Sequence, residues 1–91
     1  MRLEWSNGSL EDLERLYEFL RPVAPSAAQQ ALMSLRASAL RLLPHPRLGR
    51  RLEQFVGREV RYFLVGTYEI RYEIADDALI VLRIWHTREH R

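Results

Sequence analysis

Between Pro44 and Pro46 the chain changes its hydrophobic period, and that change limits the fold more than any other feature of the sequence. Upstream, Leu10, Leu13, Leu16, Tyr17 and Leu20 recur at helical spacing, as do Ala28, Ala31, Leu32, Leu35, Ala39, Leu42 and Leu43. Downstream, Val60, Tyr62 and Leu64 alternate with Arg61, Phe63 and Val65, while Tyr68, Ile70, Tyr72 and Ile74 alternate with Glu69, Arg71 and Glu73. That is the period of a strand. Neither proline can continue a helix, because each lacks the N–H and disfavours helical geometry in the residue before it. Helices therefore form one layer and strands another, and in 91 residues both must share one core, making 1–91 a single domain.

The local signals divide these layers. Leu3 and Trp5 alternate with Arg2 and Glu4, which predicts a short edge strand. Ser9-Leu10-Glu11-Asp12 has the form of a capping box and predicts a helix start at Ser9; Pro22 and Pro25 end that helix, and Ser26 to Gln29 repeats the cap pattern for a second. The segment from Pro44 to Arg50 is expected to be a loop. Strands follow from Glu59 to Val65, from Tyr68 to Ile74, and from Ala78 to Trp85, the last apolar enough to lie centrally in the sheet. A three-residue turn at Ala75-Asp76-Asp77 would set Ile74 opposite Ala78, Tyr72 opposite Ile80, Ile70 opposite Leu82 and Glu69 opposite Arg83. Ile70, Tyr72, Ile74, Ile80, Leu82 and Ile84 would then face the helices, leaving Glu69, Arg71, Glu73 and Arg83 on an open face. The expected fold is α+β in the order β-α-α-β-β-β, a two-helix hairpin on a small antiparallel sheet.

Composition removes several chemistries. There is no cysteine, so thiol nucleophiles, iron–sulfur clusters and thiolate zinc sites are excluded. All fourteen basic residues are arginine, which excludes Schiff-base lysines and leaves the guanidinium fork as the cationic group. His86 and His90 have the spacing of a helical metal pair, but no third ligand accompanies them, so neither a metal nor a cofactor is expected. No apolar run reaches the ~20 residues that cross a bilayer. The N-terminus has neither the basic nor the long apolar stretch of a secretory signal, which predicts a cytoplasmic protein with no membrane partner. Residues 1–20 carry two arginines against five acids and residues 21–91 twelve against seven, so the basic charge lies late in the chain and points to a polyanion or an acidic protein partner.

The element order, with His45-Pro46-Arg47-Leu48-Gly49, Arg61, Tyr68-Glu69-Ile70-Arg71-Tyr72 and Leu82-Arg83-Ile84-Trp85-His86, resembles the ParE/RelE superfamily of toxins from type II toxin–antitoxin pairs over nearly the whole chain. The resemblance implies a toxin silenced by a small antitoxin in a hetero-oligomer. ParE-like members are known for poisoning DNA gyrase, whereas RelE-like members cut mRNA on the ribosome. The closing Arg83-to-His86 motif and Arg61 are closer to ParE-like sequences, which implies a ParD-like antitoxin, gyrase as the target and no catalysis. RelE-like members carry basic residues on the strand that matches Glu59 to Val65, and an arginine near Glu69, where an acid would repel the phosphate of an RNA-cleavage transition state. In the enzyme alternative, a mRNA endoribonuclease, Arg61, His86 and Arg88 would supply the cationic and acid–base groups. A non-toxic interaction module is a third reading.

On the leading reading, Arg61, Arg83, His86, Arg88 and Arg91 are the target-binding candidates. Arg83 alternatively pairs with Glu69 across two strands. Leu13, Tyr17, Leu20 and Arg36 are the antitoxin-binding candidates, since one helical hairpin leaves apolar surface for a partner that folds on binding. The loop arginines Arg47, Arg50 and Arg51 form either a solvated patch or a docking surface. The tail Thr87-Arg88-Glu89-His90-Arg91 has no apolar residue to anchor it, so its expected role is contact through arginine forks.

Overall fold

The structure, a computed structural model, describes residues 1–89; His90 and the candidate Arg91 lie outside the described residues. In chain order it contains β1 (Arg2–Trp5), α1 (Asn7–Leu20), α2 (Pro25–Arg41), one 3₁₀ turn at Pro46–Leu48, β2 (Arg50–Arg51), β3 (Glu59–Val65), β4 (Tyr68–Ala75) and β5 (Ala78–His86). The strands form one sheet ordered β1-β5-β4-β3-β2. Leu13 and Leu16 of α1, with Leu35, Ala39 and Leu42 from α2 and its end, pack on Ile70, Tyr72, Leu79, Val81 and Ile84. The expected order, the edge position of β1 and the interior position of β5 are all present. The sheet is mixed rather than antiparallel, however, because β1 runs parallel to β5. A helical crossover joins β1 to the later strands, and such a connection allows parallel neighbours where a hairpin does not. The expected loop also contributes β2, whose Arg50 and Arg51 pair with Tyr62 and Arg61.

Both helices start earlier than their apparent caps. The N-cap of α1 is Ser6, whose Oγ accepts from the Ser9 N–H at 3.0 Å, while the Ser9 hydroxyl donates to the Ser6 carbonyl at 2.8 Å. Asn7 and Gly8 are thus helical, and Asp12 is released from capping. Helix α2 starts with Pro25 in its first turn and has no side-chain cap, so Ser26 does not act as one; proline suits that position because its missing N–H would be unpaired there anyway.

The β4–β5 hairpin departs from the expected register. Its turn is two residues, Asp76-Asp77, with Ala75 opposite Ala78, Ile74 opposite Leu79 and Tyr72 opposite Val81. Asp76 makes this possible by adopting φ +53°, a conformation that aspartate tolerates better than most residues. The shorter turn reverses the faces of residues 78–81, so Leu79 and Val81 enter the core and Ile80 faces away. An irregularity between Arg71 and Tyr72 then absorbs one extra residue, Leu82, and restores the parity: Arg83 pairs with Arg71, Ile84 with Ile70 and Trp85 with Glu69. Glu69 therefore does not face Arg83.

The sheet face away from the helices is not open. Val60 and Trp85 are buried on it, and Glu69 is only 9% exposed. Arg58 lies over Phe55 at 5.6 Å, Arg71 lies between Phe55 at 5.6 Å and Trp85 at 4.7 Å, and Arg83 covers Trp85 at 5.2 Å. This alternating ladder of guanidinium and aromatic planes covers much of that face, each step a cation–π contact.

Because β1 stops at Trp5, opposite Val81, the remainder of β5 has an edge with no strand beside it. Side chains take the strand's place. Ser6 Oγ donates to the Leu82 carbonyl at 2.9 Å, Asp12 Oδ2 accepts from the Ile84 N–H at 2.8 Å, Arg15 donates to the Ile84 carbonyl at 3.2 Å, and Glu89 Oε1 accepts from the His86 N–H at 2.7 Å. Asp12 is 1% exposed and also accepts from Arg83 Nε at 2.7 Å, Arg83 Nη2 at 3.1 Å and Arg15 Nη1. Burial alone would raise its pKa, but the hydrogen bonds from Arg83, the Ile84 N–H and Arg15 outweigh burial and hold the carboxyl below its ordinary range. Its contribution to stability is therefore complete above the unfolded pKa of ~3.9 and is lost as pH falls through the lower folded value. Replacement of Asp12 by alanine should cost about 3 kcal/mol in urea unfolding at neutral pH, since it leaves a buried N–H unpaired and releases two arginines. Asp12→Asn should cost less and should flatten the loss of stability on acidification below pH 4.

Candidate functional site

The candidate residues gather at two places. The first is the loop before β3, which is held by a tyrosine and an arginine. Tyr72, fully buried on β4, extends its hydroxyl to donate to the Pro46 carbonyl at 2.7 Å and to accept from the Gly49 N–H at 2.9 Å; burial raises the pKa of its phenol. Arg61, facing the same loop from β3, donates to the Gly49 carbonyl at 2.7 Å and to Glu59 at 2.9 Å, and its side chain is 15% exposed. Glu59 also takes Arg47 at 2.9 Å. Burial would raise the Glu59 pKa, yet the two guanidinium groups hold it below its ordinary value. The guanidinium of Arg61 is thus occupied in closing the loop. Arg50 and Arg51 are exposed on β2.

The second place is the end of β5 beside the end of α1. Leu16, Phe19 and Leu20 of α1 face Tyr68 and His86 across a hollow of about 510 Å³, rimmed by Arg15, Arg88 and Glu89. The His86 ring meets Tyr68 edge-on, at 5.4 Å between centroids and 87° between planes. Its Nδ1 accepts from the Arg88 N–H at 3.1 Å, so the neutral imidazole carries its proton on Nε2. The carboxylate of Glu89 takes Arg15 through Nε and Nη2, both at 3.1 Å. Burial opposes ionisation of Glu89, but Arg15 and the His86 N–H more than compensate and lower its pKa. Arg88 is exposed, and its side chain makes no ion pair among the described residues. Among the described residues no group of three or more His, Asp or Glu side chains could hold a metal ion.

The sequence candidates divide between these places. His86 and Arg88 share the hollow, while Arg61 is locked in the loop. Arg83 reaches Asp12 while stacked on Trp85, and its side chain stays 47% exposed. Of the proposed antitoxin contacts, Leu20 lines the hollow and Tyr17 is half-buried beside it on α1. Leu13, 5% exposed, belongs to the core and offers no surface to a partner. Arg36 is exposed on α2, away from the hollow's lining. Sequence reasoning missed Phe19, which is 79% exposed. It falls off the apolar stripe of α1, and an aromatic residue on the solvent side of a helix was the signal to follow. Arg15 and Glu89 were missed because nothing in their spacing connects the first helix to the chain end.

The helical hairpin and the sheet thus end together in an apolar hollow rimmed by Arg15, Arg88 and Glu89. One solved structure, titled "Chromosomal ParDE TA system from P. aeruginosa", superposes on 92% of this chain and 92% of its own with a TM-score of 0.78 at 20% identity, which establishes a common fold. The sequence pattern of the family described as "ParE toxin of type II toxin-antitoxin system, parDE" matches residues 3–91. Two toxins of Caulobacter vibrioides are similar throughout: "Toxin RelE3", 35% identical over 88% of this chain and 87% of its own, and "Toxin RelE2", 33% identical over 90% of each. The chain belongs to the ParE/RelE family of type II toxin–antitoxin toxins.

The loop geometry gives a stability test. A Cβ at Gly49 would lie 2.5 Å from the Tyr72 hydroxyl and 2.6 Å from the Tyr62 carbonyl, and the backbone atom cannot swing aside. Gly49→Ala should therefore cost about 2 kcal/mol through overpacking. Tyr72→Phe, which strips partners from the Gly49 N–H and the Pro46 carbonyl, should cost about 1–2 kcal/mol. Thermal or urea unfolding of the two variants measures both.

Proposed function

We propose that this toxin acts by binding DNA gyrase in the cytoplasm, without catalysis, and that a ParD-like antitoxin silences it by covering the hollow between α1 and β5. One observation carries the choice against RNA cleavage. Arg61 pairs through Tyr72 with Val81, whereas His86 pairs with Tyr68, which lies opposite Val65. Arg61 thus stands four positions along the sheet and two strands across from His86. At ~3.3 Å per residue and ~4.8 Å per strand, their backbones are roughly 16 Å apart. The Arg61 guanidinium is also engaged by the Gly49 carbonyl and Glu59, which supports a structural role for it rather than one in a shared acid–base site with His86. Glu69, buried on the sheet, presents no exposed carboxylate that would repel a phosphate. Arg83 and Arg88 remain as exposed guanidinium groups for an acidic protein surface.

The antitoxin reading rests on the exposed Phe19 and the apolar floor beside it, an arrangement suited to an amphipathic segment that folds as it binds. One observation favours the nuclease alternative: the His86 ring accepts from the Arg88 N–H, so an imidazole stands beside an exposed arginine. Two experiments test these readings. Induction without antitoxin should produce gyrase-dependent DNA breaks while ribosome-bound transcripts stay intact; codon-positioned transcript ends preceding any DNA damage would establish the nuclease instead. Phe19→Asp should weaken antitoxin binding by about 2 kcal/mol, the scale of a central aromatic contact, and leave thermal stability nearly unchanged. Unchanged affinity would place the antitoxin elsewhere.

A further inference from the structure

Residues 87–89, which follow β5, are held by more hydrogen bonds than their composition suggests. Thr87 N–H donates to the Thr67 carbonyl at 2.8 Å and Glu89 N–H to the His86 carbonyl at 3.0 Å, which turns the chain back on itself. Within that turn the Arg88 N–H reaches His86 Nδ1 at 3.1 Å. The turn is tied to α1 by one side chain. Glu89 accepts from the His86 N–H at 2.7 Å and from Arg15 through two nitrogens at 3.1 Å, and Arg15 in turn holds Asp12 and the Ile84 carbonyl. Glu89 thus satisfies the last unpaired N–H of the β5 edge and joins the tail to the network that holds α1 against the sheet.

We infer that Glu89 is a positioning residue: by closing the turn onto Arg15 it fixes the backbone of Arg88, and so sets where the exposed Arg88 guanidinium stands at the rim of the hollow. Arg88 has several long rotatable bonds, and anchoring it on both sides removes backbone freedom that a target would otherwise have to restrict on binding. This inference rests on the reading that Arg88 contacts the target.

The experiment compares the full chain with Arg88→Ala, Glu89→Ala, Glu89→Gln and the double variant Arg88→Ala/Glu89→Ala. Two quantities are measured: the toxin level needed to arrest growth, and amide hydrogen exchange. Glu89→Ala should raise the arresting level about tenfold, the upper end of what ordering one long side chain costs at an interface. His86 and Arg88 amides should exchange faster while those of α1 and β4 stay protected. Glu89→Gln keeps an acceptor for the His86 N–H but loses the ion pair, so it should fall between wild type and alanine, and it provides the comparison if the alanine variant does not fold. The double variant should be no worse than Arg88→Ala, because one residue acts through the other. If Arg88→Ala is fully toxic, the contact reading itself fails. If Arg88→Ala is impaired and the Glu89 variants are not, the contact stands and the positioning role is overturned. Additive losses in the double variant would also overturn it, by making Glu89 a contact in its own right.

Discussion

The fold depends on how the unpaired edge of β5 is satisfied. β1 has only four residues, and beyond Val81 the strand in the middle of the core has no neighbour on one side. Unpaired strand edges are both unstable and prone to recruit other chains. A longer β1 would solve this, but the chain turns at Ser6 and starts a helix instead. The helix then supplies from its side chains what the strand would have supplied from its backbone: an acceptor from Asp12, a donor from Arg15 and a donor from Ser6. These bonds set the height and rotation of α1 on the sheet, and with them the packing of Leu13 and Leu16 into the core.

The same constraint explains the use of arginine. A carboxylate as buried as Asp12 needs several strong donors, and the planar fork of Arg83 provides two while its face rests on Trp85. Arg71 stacks between Phe55 and Trp85, and Arg61 reaches both a carboxylate and a backbone carbonyl. An ammonium group has no plane to stack and no fork to divide between partners. Much of the positive charge is accordingly spent inside the molecule, leaving the net +2 of the sequence a poor guide to which arginines meet a partner.

Period and punctuation made the element order legible, because an apolar stripe must lie on the same side of its element to be buried. Tyr72 was legible in the same way, as a residue facing the helices, whereas the loop that its hydroxyl holds was not. Details set by single residues were not. Ser6 and Ser9 are both competent caps, and only the contact of Ser6 with Leu82 decides between them. The hairpin register turned on the willingness of Asp76 to adopt a positive φ, and the bulge that realigned Arg83 to His86 has no composition signature. At the candidate site, His86 and Arg88 stood out by residue type. Their partners Arg15 and Phe19 lie some seventy positions away in sequence, and only the folded chain brings them together.

Placing the candidate surface at the end of β5 follows from the way that edge is built. An edge paired by another strand offers no side chains in its own plane, whereas an edge capped by Asp12, Arg15 and Glu89 brings charged groups to the backbone and leaves Arg15 and Glu89 partly exposed. Arg88 lies between two of the bonded positions, His86 and Glu89, and its own N–H reaches the His86 ring. Beside it, α1 continues past the edge and exposes Phe19 and Leu20 where no strand remains to cover them. An early stop in β1 therefore has two consequences at one end of the sheet: a hollow with an apolar floor, and a charged rim whose geometry is fixed by the bonds that complete the strand.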